Sequence, residues 1–150
     1  MERTLIILKP DAVQRGLCGT ILSRFEQRGF RIAGMKWLKV QEVLAHEHYA
    51  EHKGKPFFKE LVAYITSAPV IVMALEGPSA IAAARATIGT TNPRDASPGS
   101  IRGDFALEVG RNLVHASDSL ASAERELRLF FAKEDLFDWD RVTDPWVFSG

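Results

Sequence analysis

The residues best suited to chemistry lie in the stretch RNLVHASDS, which spans positions 111–119. His115 follows an apolar pair, and three short polar residues at 117–119 come soon after it. A helix that begins at these polar residues would present unpaired backbone N–H groups and the positive end of its dipole, and both favour an anion. The stretch therefore predicts a functional histidine beside an anion-binding helix start. A histidine that only packs or sits at the surface is the alternative.

A carboxylate that would orient this histidine lies on the next predicted helix, residues 119–131. On a helical wheel, Glu126 falls at the edge of the apolar stripe, on the same edge as Ser119 and Ser122. From there its carboxylate would point under the end of the sheet and hold an imidazole ring, as the acid partner does in a catalytic triad. Pairing of Glu126 with an arginine is the alternative.

No glycine-rich phosphate-binding motif is present, neither GxxxxGK[ST] nor GxGxxG. If the chain binds a nucleotide, side chains must therefore contact the phosphates, and the candidates are Lys9, Arg85, Thr91 and Arg102. Arginine suits this task because its planar fork donates two parallel hydrogen bonds. Arg85 is the only charged residue of the alanine-rich stretch 80–88, and a surface arginine is an equal alternative for it.

Three histidines near position 50 raise the question of a metal site. Only His48 and His52 have the i, i+4 spacing that places two ligands on one helical face, and no third ligand is evident, so His46 and its neighbours predict a partly exposed amphipathic helix. Tyr49 and Phe57 flank the predicted helical hairpin. A ring at the hairpin tip either packs at the edge of the core or stacks on a base.

Hydrophobic periodicity predicts the elements that position these residues. Strands are predicted over residues 4–8, 30–40 and 70–75 and within 109–116, and helices over 19–27, 41–52, 56–65, 80–88 and 119–131. A turn is predicted at 9–11, and residues 89–103 form a long polar loop of a kind that is often functional. The order of elements predicts a ferredoxin-like α/β (α+β) fold, a four-stranded antiparallel βαββαβ sheet with helices on one side and an added helical hairpin.

The composition narrows the class of protein. A chain of 150 residues is typical of one domain. Nineteen basic residues balance nineteen acidic ones, which gives no electrostatic reason to bind nucleic acid. Cys18 is the only cysteine, so no intrachain disulfide is possible. No apolar run is long enough to span a membrane, and MERTLIILKP lacks the layout of a signal peptide, so a cytoplasmic protein is expected.

Four blocks of this sequence closely resemble nucleoside diphosphate kinases: KPDAVQRG (9–16), HYAEHKGKPFF (48–58), GTTNPRDASPGSIRGDF (89–105) and RNLVHASDS. The resemblance runs from Arg3 to Trp146 and implies one kinase domain over residues 1–150 with a C-terminal extension. It implies a ping-pong reaction that maintains nucleotide pools, in which a nucleoside triphosphate, mainly ATP, phosphorylates His115 and a nucleoside or deoxynucleoside diphosphate accepts the phosphoryl group. It also implies Mg²⁺ held mainly by the nucleotide phosphates, a homo-oligomer (a hexamer first, a tetramer next), no membrane and no specific nucleic acid.

The resemblance also implies a function for each matching residue. His115 would be the nucleophile, with Ser117 and Glu126 holding its ring. The other positions form the implied nucleotide site: Lys9 and Tyr49 at the transferring phosphate, Lys9 and Asn112 at the 3′-hydroxyl, Arg85, Thr91 and Arg102 at the remaining phosphates, and Phe57 and Val109 on either side of the base.

Two positions depart from the family pattern. Ala116 stands where relatives usually have glycine, and a positive φ there would cost about 1 kcal/mol. With a negative φ little would change. The chain ends in PWVFSG, where relatives often end in Trp-x-Tyr-Glu, a tail that helps to build oligomer contacts in some members. The loop around Pro93 is expected to contact neighbouring subunits.

Two rival functions use the same fold or the same histidine. A phosphohistidine relay or mutase would need His115 but not Phe57, Thr91 or a nucleotide. A ferredoxin-like RNA-binding module would need paired aromatic residues on the sheet and a basic surface. The balanced charge and the apolar strand at 70–75 argue against the RNA-binding module.

Overall fold

A computed structural model describes all 150 residues, and its centre is one antiparallel sheet in the order β2-β3-β1-β4. The strands are β1 (Glu2–Leu8), β2 (Arg31–Leu38), β3 (Val70–Gly77) and β4 (Val114–Ala116). Within β1, Ile7 pairs with Val72 of β3 on one side and with His115 of β4 on the other. This confirms the predicted four-stranded antiparallel sheet.

Seven α-helices connect and cover the strands: α1 (Pro10–Gln14), α2 (Cys18–Arg28), α3 (Glu42–His48), α4 (Phe58–Ile65), α5 (Ala80–Ile88), α6 (Ile101–Phe105) and α7 (Leu120–Phe130). The core order β1-α2-β2-β3-α5-β4 is the predicted βαββαβ pattern, and α3 with α4 is the added hairpin. None of the helices combines the length and the apolarity that crossing a bilayer requires.

Helices cover both faces of the sheet, so the prediction of helices on one side is wrong. Ile6 and Leu8 of β1 pack in one core with residues of α2 and α5, whereas Leu5 and Ile7 pack in a second core with residues of α3, α4 and α7. A strand that is buried on both faces is apolar at successive positions instead of alternating. The run of four apolar residues in β1 already carried this signal.

Two segments that the sequence predicts as irregular contain short helices. Pro10 begins α1, because the fixed φ of proline and its missing N–H suit the first position of a helix. The predicted loop 89–103 ends in α6, where the Oγ of Ser100 accepts a hydrogen bond from the N–H of Gly103. A Cβ at Gly103 would lie 2.0 Å from the carbonyl oxygen of Ser97, so only glycine fits this close approach. Arg102 is therefore held on a helix.

The C-terminal extension folds back along the sheet. The guanidinium of Arg141 donates hydrogen bonds to the carbonyl oxygens of Gly29 (2.8 Å) and Phe30 (3.0 Å). Nearer to α7, the N–H of Phe137 donates to the carbonyl oxygen of Ala33 at 2.8 Å, on the outer edge of β2. The extension thus covers the first half of this edge strand.

Candidate active site

The residues that the sequence singled out converge on one cleft of about 600 Å³. Ten of the eleven line its wall: Lys9, Tyr49, Phe57, Arg85, Thr91, Arg102, Val109, Asn112, His115 and Glu126. The eleventh, Ser117, is fully buried behind the wall. Residues that are far apart in the chain therefore meet where β4, the helical hairpin and the segment after α5 come together.

His115 is held by a buried carboxylate. Its Nε2 lies 2.7 Å from Oε1 of Glu126, and the same oxygen accepts a hydrogen bond from Oγ of Ser117 at 2.9 Å. The N–H of Leu5 in turn donates to Oγ of Ser117, at 3.3 Å. No protein group bonds to Nδ1 of His115. The predicted orientation of the histidine by Glu126 is thus present in the structure, and Nδ1 is the uncommitted ring nitrogen.

The helix that follows His115 begins as the sequence predicts. Ser119 precedes the first residue of α7, and its Oγ accepts a hydrogen bond from the N–H of Ser122 at 3.1 Å. One of the free N–H groups at this helix start is therefore already satisfied. Asp118, which the sequence predicted only as part of this helix start, is exposed and lines the cleft.

A second network joins Lys9, Asn112 and Thr91. The Nζ of Lys9 donates a short hydrogen bond to Oδ1 of Asn112, and Nδ2 of Asn112 donates to the carbonyl oxygen of Thr91 at 2.9 Å. Burial is the main reason that the pKa of Lys9 is lowered to about 8. Asp11 opposes the shift, and the nearby guanidinium of Arg102 contributes to it. The ammonium group is therefore placed where an incoming anion would replace its lost hydration.

Arg102 fastens the segment after α5 to β4. Its guanidinium donates to the carbonyl oxygens of Gly89 (3.0 Å), Asn112 (3.2 Å) and Val114 (2.6 Å). Burial lowers the pKa of Arg102 to about 10, and the positive charge of Arg85 adds to this effect. Two of its five N–H groups remain free for a ligand.

Arg85 reaches from α5 to the neighbouring strand. Its Nη1 donates to the carbonyl oxygen of Ala116 at 3.1 Å, and the side chain lines the cleft although the residue is exposed. The side chain of Arg85 is therefore directed to the cleft, beside the strand that carries His115. Ala116 itself lies in β4 without a positive φ, because only Ser79 and Leu113 have one among the residues other than glycine. The departure from glycine thus carries no backbone strain.

The turn before His115 is strained, and no local sequence pattern predicts this. Leu113 has a φ of +74°, and the N–H of Val114 bonds back to the carbonyl oxygen of Asn112 at 2.8 Å, which is a γ-turn of the rare positive-φ type. The carboxylate of Asp11 accepts the N–H of Leu113 at 3.1 Å, and its other oxygen accepts a short hydrogen bond from the hydroxyl of Tyr64. This anchor fixes the backbone that carries the site.

His48 lies beside His115 and not on an exposed helix face, so the prediction of partial exposure is wrong for this residue. It is 5% exposed, and its ring centre lies 4.8 Å from that of His115 and 5.4 Å from that of Phe130. Burial lowers the pKa of His48 to about 2, with a further contribution from His115, so its ring is neutral. Ala45, three residues earlier, is also buried, and this spacing was the available signal.

The mouth of the cleft carries exposed apolar side chains. Phe57 is 44% exposed and Val109 is 57% exposed, whereas Phe58 packs on the second core. The ring at the hairpin tip is thus available to a ligand and does not belong to the core. Deeper in the cleft, burial and the carboxylate of Glu126 raise the pKa of Tyr49 to about 12, so its hydroxyl stays protonated.

Fold and site together define a class: an α+β enzyme of ferredoxin-like topology whose cationic cleft surrounds a histidine held by a carboxylate. The family model for nucleoside diphosphate kinase matches residues 2–136. The nucleoside diphosphate kinase of Roseiflexus castenholzii is 60% identical over 99% of this chain and all of its own length, and that of Gloeobacter violaceus is 55% identical with the same coverage.

Solved structures agree with the sequence relatives. A halophilic nucleoside diphosphate kinase from Halobacterium salinarum in complex with CDP superposes with a TM-score of 0.95 at 49% identity, over 98% of each chain. A nucleoside diphosphate kinase family protein from Babesia bovis superposes with a TM-score of 0.96 at 45% identity, over 99% of this chain and all of the other. The chain belongs to the nucleoside diphosphate kinase family. It is a phosphotransferase, and like its family it binds nucleotides and uses divalent cations.

Proposed function

We propose that this chain moves the γ-phosphoryl group of a nucleoside triphosphate, mainly ATP, to a nucleoside or deoxynucleoside diphosphate through a phosphohistidine at His115. The observation that carries the proposal is the 2.7 Å contact between Nε2 of His115 and Glu126 within a cleft lined by Lys9, Arg85 and Arg102. A carboxylate only accepts hydrogen bonds, so Nε2 carries the proton and Nδ1 keeps its lone pair. Nδ1 is then the nucleophile.

The reaction runs in two matched half-reactions. The lone pair of Nδ1 forms a bond to the γ-phosphorus, while the bond between that phosphorus and the oxygen bridging to the β-phosphate breaks, and the nucleoside diphosphate leaves. A terminal oxygen of a second nucleoside diphosphate then attacks the phosphohistidine and releases Nδ1 of His115. Glu126 stabilises the imidazolium character of the ring in both steps, and Ser117 fixes the position of Glu126.

Cationic and hydroxyl groups hold the phosphates. Phosphoryl transfer requires in-line positioning and positive charge at the moving oxygens far more than covalent help from the protein. We assign Lys9 and the protonated hydroxyl of Tyr49 to the transferring phosphate, and Arg85, Thr91 and Arg102 to the others. The charge of Lys9 is worth more in this partly buried place than in water, because water no longer screens it.

The sugar and the base occupy the outer half of the cleft. Asn112, held by Lys9 and by Thr91, is placed to bond the 3′-hydroxyl. Phe57 and Val109 would hold the base between two apolar surfaces, and such stacking tolerates every base because each has a π-face. Broad base specificity follows from this arrangement.

The donor set of the cleft fits Mg²⁺ that is held mainly by the nucleotide phosphates. Glu126 is committed to His115 and Ser117, so Asp118, an exposed carboxylate that lines the cleft, would be the group to hold the ion. Mg²⁺ retains several waters and binds through few carboxylates, so Asp118 would hold it through one of these waters. When bound, the ion neutralises phosphate charge and polarises the phosphorus–oxygen bond that breaks.

We also propose that residues 1–150 act as one kinase domain. Copies of this domain would form a homo-oligomer, with a hexamer as the favoured state and a tetramer as the second choice. The outer edge of β2 supports an assembly. Met35 is 49% exposed and Trp37 is 62% exposed there, beyond the part that the C-terminal extension covers. Apolar side chains on an open strand edge favour pairing with another chain. We expect the turn at Pro93–Asp95 to add a second contact between subunits.

A labelling experiment tests the reaction. With Mg²⁺ and ATP labelled at the γ-phosphate, the intact chain should acquire an acid-labile phosphate, and GDP or dCDP should discharge it. His115→Gln should take up no label, whereas His46→Gln, on the exposed side of α3, should label like the wild type. Label that stays on the protein when GDP is added would support a phosphohistidine relay or mutase. Phosphate transfer by the His115→Gln variant would contradict the proposed nucleophile.

A further inference from the structure

Three ligand groups for a metal ion lie together at the bottom of the cleft. The nearest ring nitrogens of His48 and His115 and a carboxylate oxygen of Glu126 all lie within 4.8 Å of one another. All three residues line the cleft, so an ion can reach them from solvent. We propose that they form an inhibitory site for a borderline-soft divalent cation, with Zn²⁺ as the preferred ion.

The donor set matches zinc better than magnesium. Two imidazole nitrogens and one carboxylate oxygen, with the fourth position open to water, are a common zinc arrangement. Zinc–nitrogen bonds of about 2.0–2.1 Å require ligand atoms roughly 3.3 Å apart in a tetrahedron. The atoms of His115 and Glu126 are 2.7 Å apart and must separate slightly to reach this distance, whereas His48, which lies within 4.8 Å of them, must approach. Mg²⁺ prefers an octahedron of oxygen ligands and finds no such set here.

An independent observation points to a ligand at His48. Its Nδ1 is buried and has no hydrogen-bond partner, although such an atom in a protein interior normally has one. Since no hydrogen bond to either ring nitrogen of His48 is present, metal binding through this ring would break none. A bound cation would also replace the shared proton between His115 and Glu126 and would satisfy both groups.

The surroundings set a limit on affinity. Lys9, Arg85, Arg102 and Arg125 also line the cleft, and their charges oppose a cation, whereas Glu51, Asp118 and Glu126 favour it. We therefore expect zinc to bind the free enzyme reversibly.

Inhibition rests on the proposed use of His115 as the nucleophile, but binding does not. An ion bound at Nε2 of His115 leaves the ring proton on Nδ1 and so removes the attacking lone pair, and zinc should therefore slow phosphohistidine formation at a fixed excess of Mg²⁺. Zinc binding and the effect of zinc on His115 phosphorylation are two readouts that fail separately.

Calorimetric titration with Zn²⁺ alone, and absorption spectra with Co²⁺ alone, test the site on the whole chain. We expect the highest-affinity site to bind one Zn²⁺ per chain, and we expect the intense visible absorption bands of tetrahedral Co²⁺. His48→Gln should weaken zinc binding by about tenfold or more. Removing a group that only hydrogen-bonds to a metal ligand already costs about tenfold in affinity, and His48 would be a ligand itself. His46→Gln, a change of the same kind at an exposed position of the same helix, should leave binding unchanged.

The wild-type chain alone keeps the proposal falsifiable if His48→Gln fails to fold. No saturable Zn²⁺ binding by the wild type, or octahedral Co²⁺ spectra only, would overturn the site. Equal zinc affinity in folded His48→Gln would overturn it as well. If zinc binds as described but ATP never labels the protein, the site stands and the proposed function fails. If ATP labels His115 but zinc does not bind, the proposed function stands and the zinc site fails.

Discussion

Lys9 shows how one partly buried cation connects charge, pH and catalysis. Burial lowers its pKa to about 8, because desolvation disfavours the ammonium form and Arg102 adds repulsion. The group is therefore charged below pH 8 and loses its proton as the pH rises through that value. Phosphate oxygens that arrive with a nucleotide would restore its charge, since an opposite charge favours the protonated form.

We expect kcat/KM for ATP to fall on the alkaline side with an apparent pKa near 8, because this parameter reports groups of the free enzyme. The kcat profile should show the same limb at higher pH, since the bound phosphates stabilise the charged form of Lys9. Steady-state rates measured from pH 6 to about 10 give both profiles.

Lys9→Arg is the control for this assignment. Arginine stays charged throughout the range, so the alkaline limb should disappear even where the altered geometry lowers the overall rate. A limb that persists unchanged in Lys9→Arg would show that another group titrates.

At the scale of elements, the strained turn at Leu113 couples the fold to the site. This turn connects Asn112 to His115, and the carboxylate of Asp11 holds it through the N–H of Leu113. The hydroxyl of Tyr64, on α4, in turn holds Asp11. A strained turn persists only when its surroundings fix it, so these contacts position the catalytic backbone.

Tyr64→Phe should therefore lower kcat by about 10–100-fold with little change in KM, because small displacements of reacting groups are costly in rate. The free energy of unfolding should fall by only about 1 kcal/mol, the usual value of one hydrogen bond. Rapid-quench measurement of phosphohistidine formation, together with denaturant unfolding, separates the two effects.

Ser67→Ala is the matched control, since it removes a hydroxyl that bonds only to the nearby carbonyl oxygen of Tyr64. It should leave kcat unchanged. A Tyr64→Phe variant with wild-type kcat and reduced stability would make the contact structural only.

Element prediction succeeded where periodicity alone decides the structure. Helix α5 has the predicted bounds, and the strands lie where the apolar runs predict them. The prediction of elements failed where the same residue type is compatible with two local structures. Pro10 ends a strand but also begins a helix, and α6 begins after the proline and glycine of a segment that looks irregular. The side on which α3, α4 and α7 pack depends on tertiary contacts, which the order of elements does not contain.

At the scale of the whole molecule, the residues that line the cleft were more predictable from the sequence than the contacts that hold them in position. The family resemblance implied ten residues of the cleft wall, seven of them within the four blocks that carry the resemblance, whereas Arg85, Val109 and Glu126 lie between or after these blocks. It did not supply the burial of His48, the γ-turn at Leu113 or the anchor formed by Asp11 and Tyr64. These features arise from contacts between segments about 50 to 100 residues apart, such as Tyr64 with Asp11 and Asp11 with Leu113, and no local pattern encodes them.

The uncovered half of the β2 edge leads to a prediction about assembly. Trp37 is 62% exposed on a strand that pairs only with β3, so burial against another copy would remove a large apolar side chain from water. Trp37→Lys should place a charge in that contact and shift the chain to a smaller species, with a lower midpoint of thermal unfolding. Val43→Lys is the matched control, because Val43 is another exposed apolar residue, 74% exposed, that lies on α3 and not on β2. Light scattering coupled to size-exclusion chromatography measures the mass of each variant. A monomeric wild type would contradict the proposed homo-oligomer, whereas an unchanged mass in Trp37→Lys would place the subunit contact on another surface.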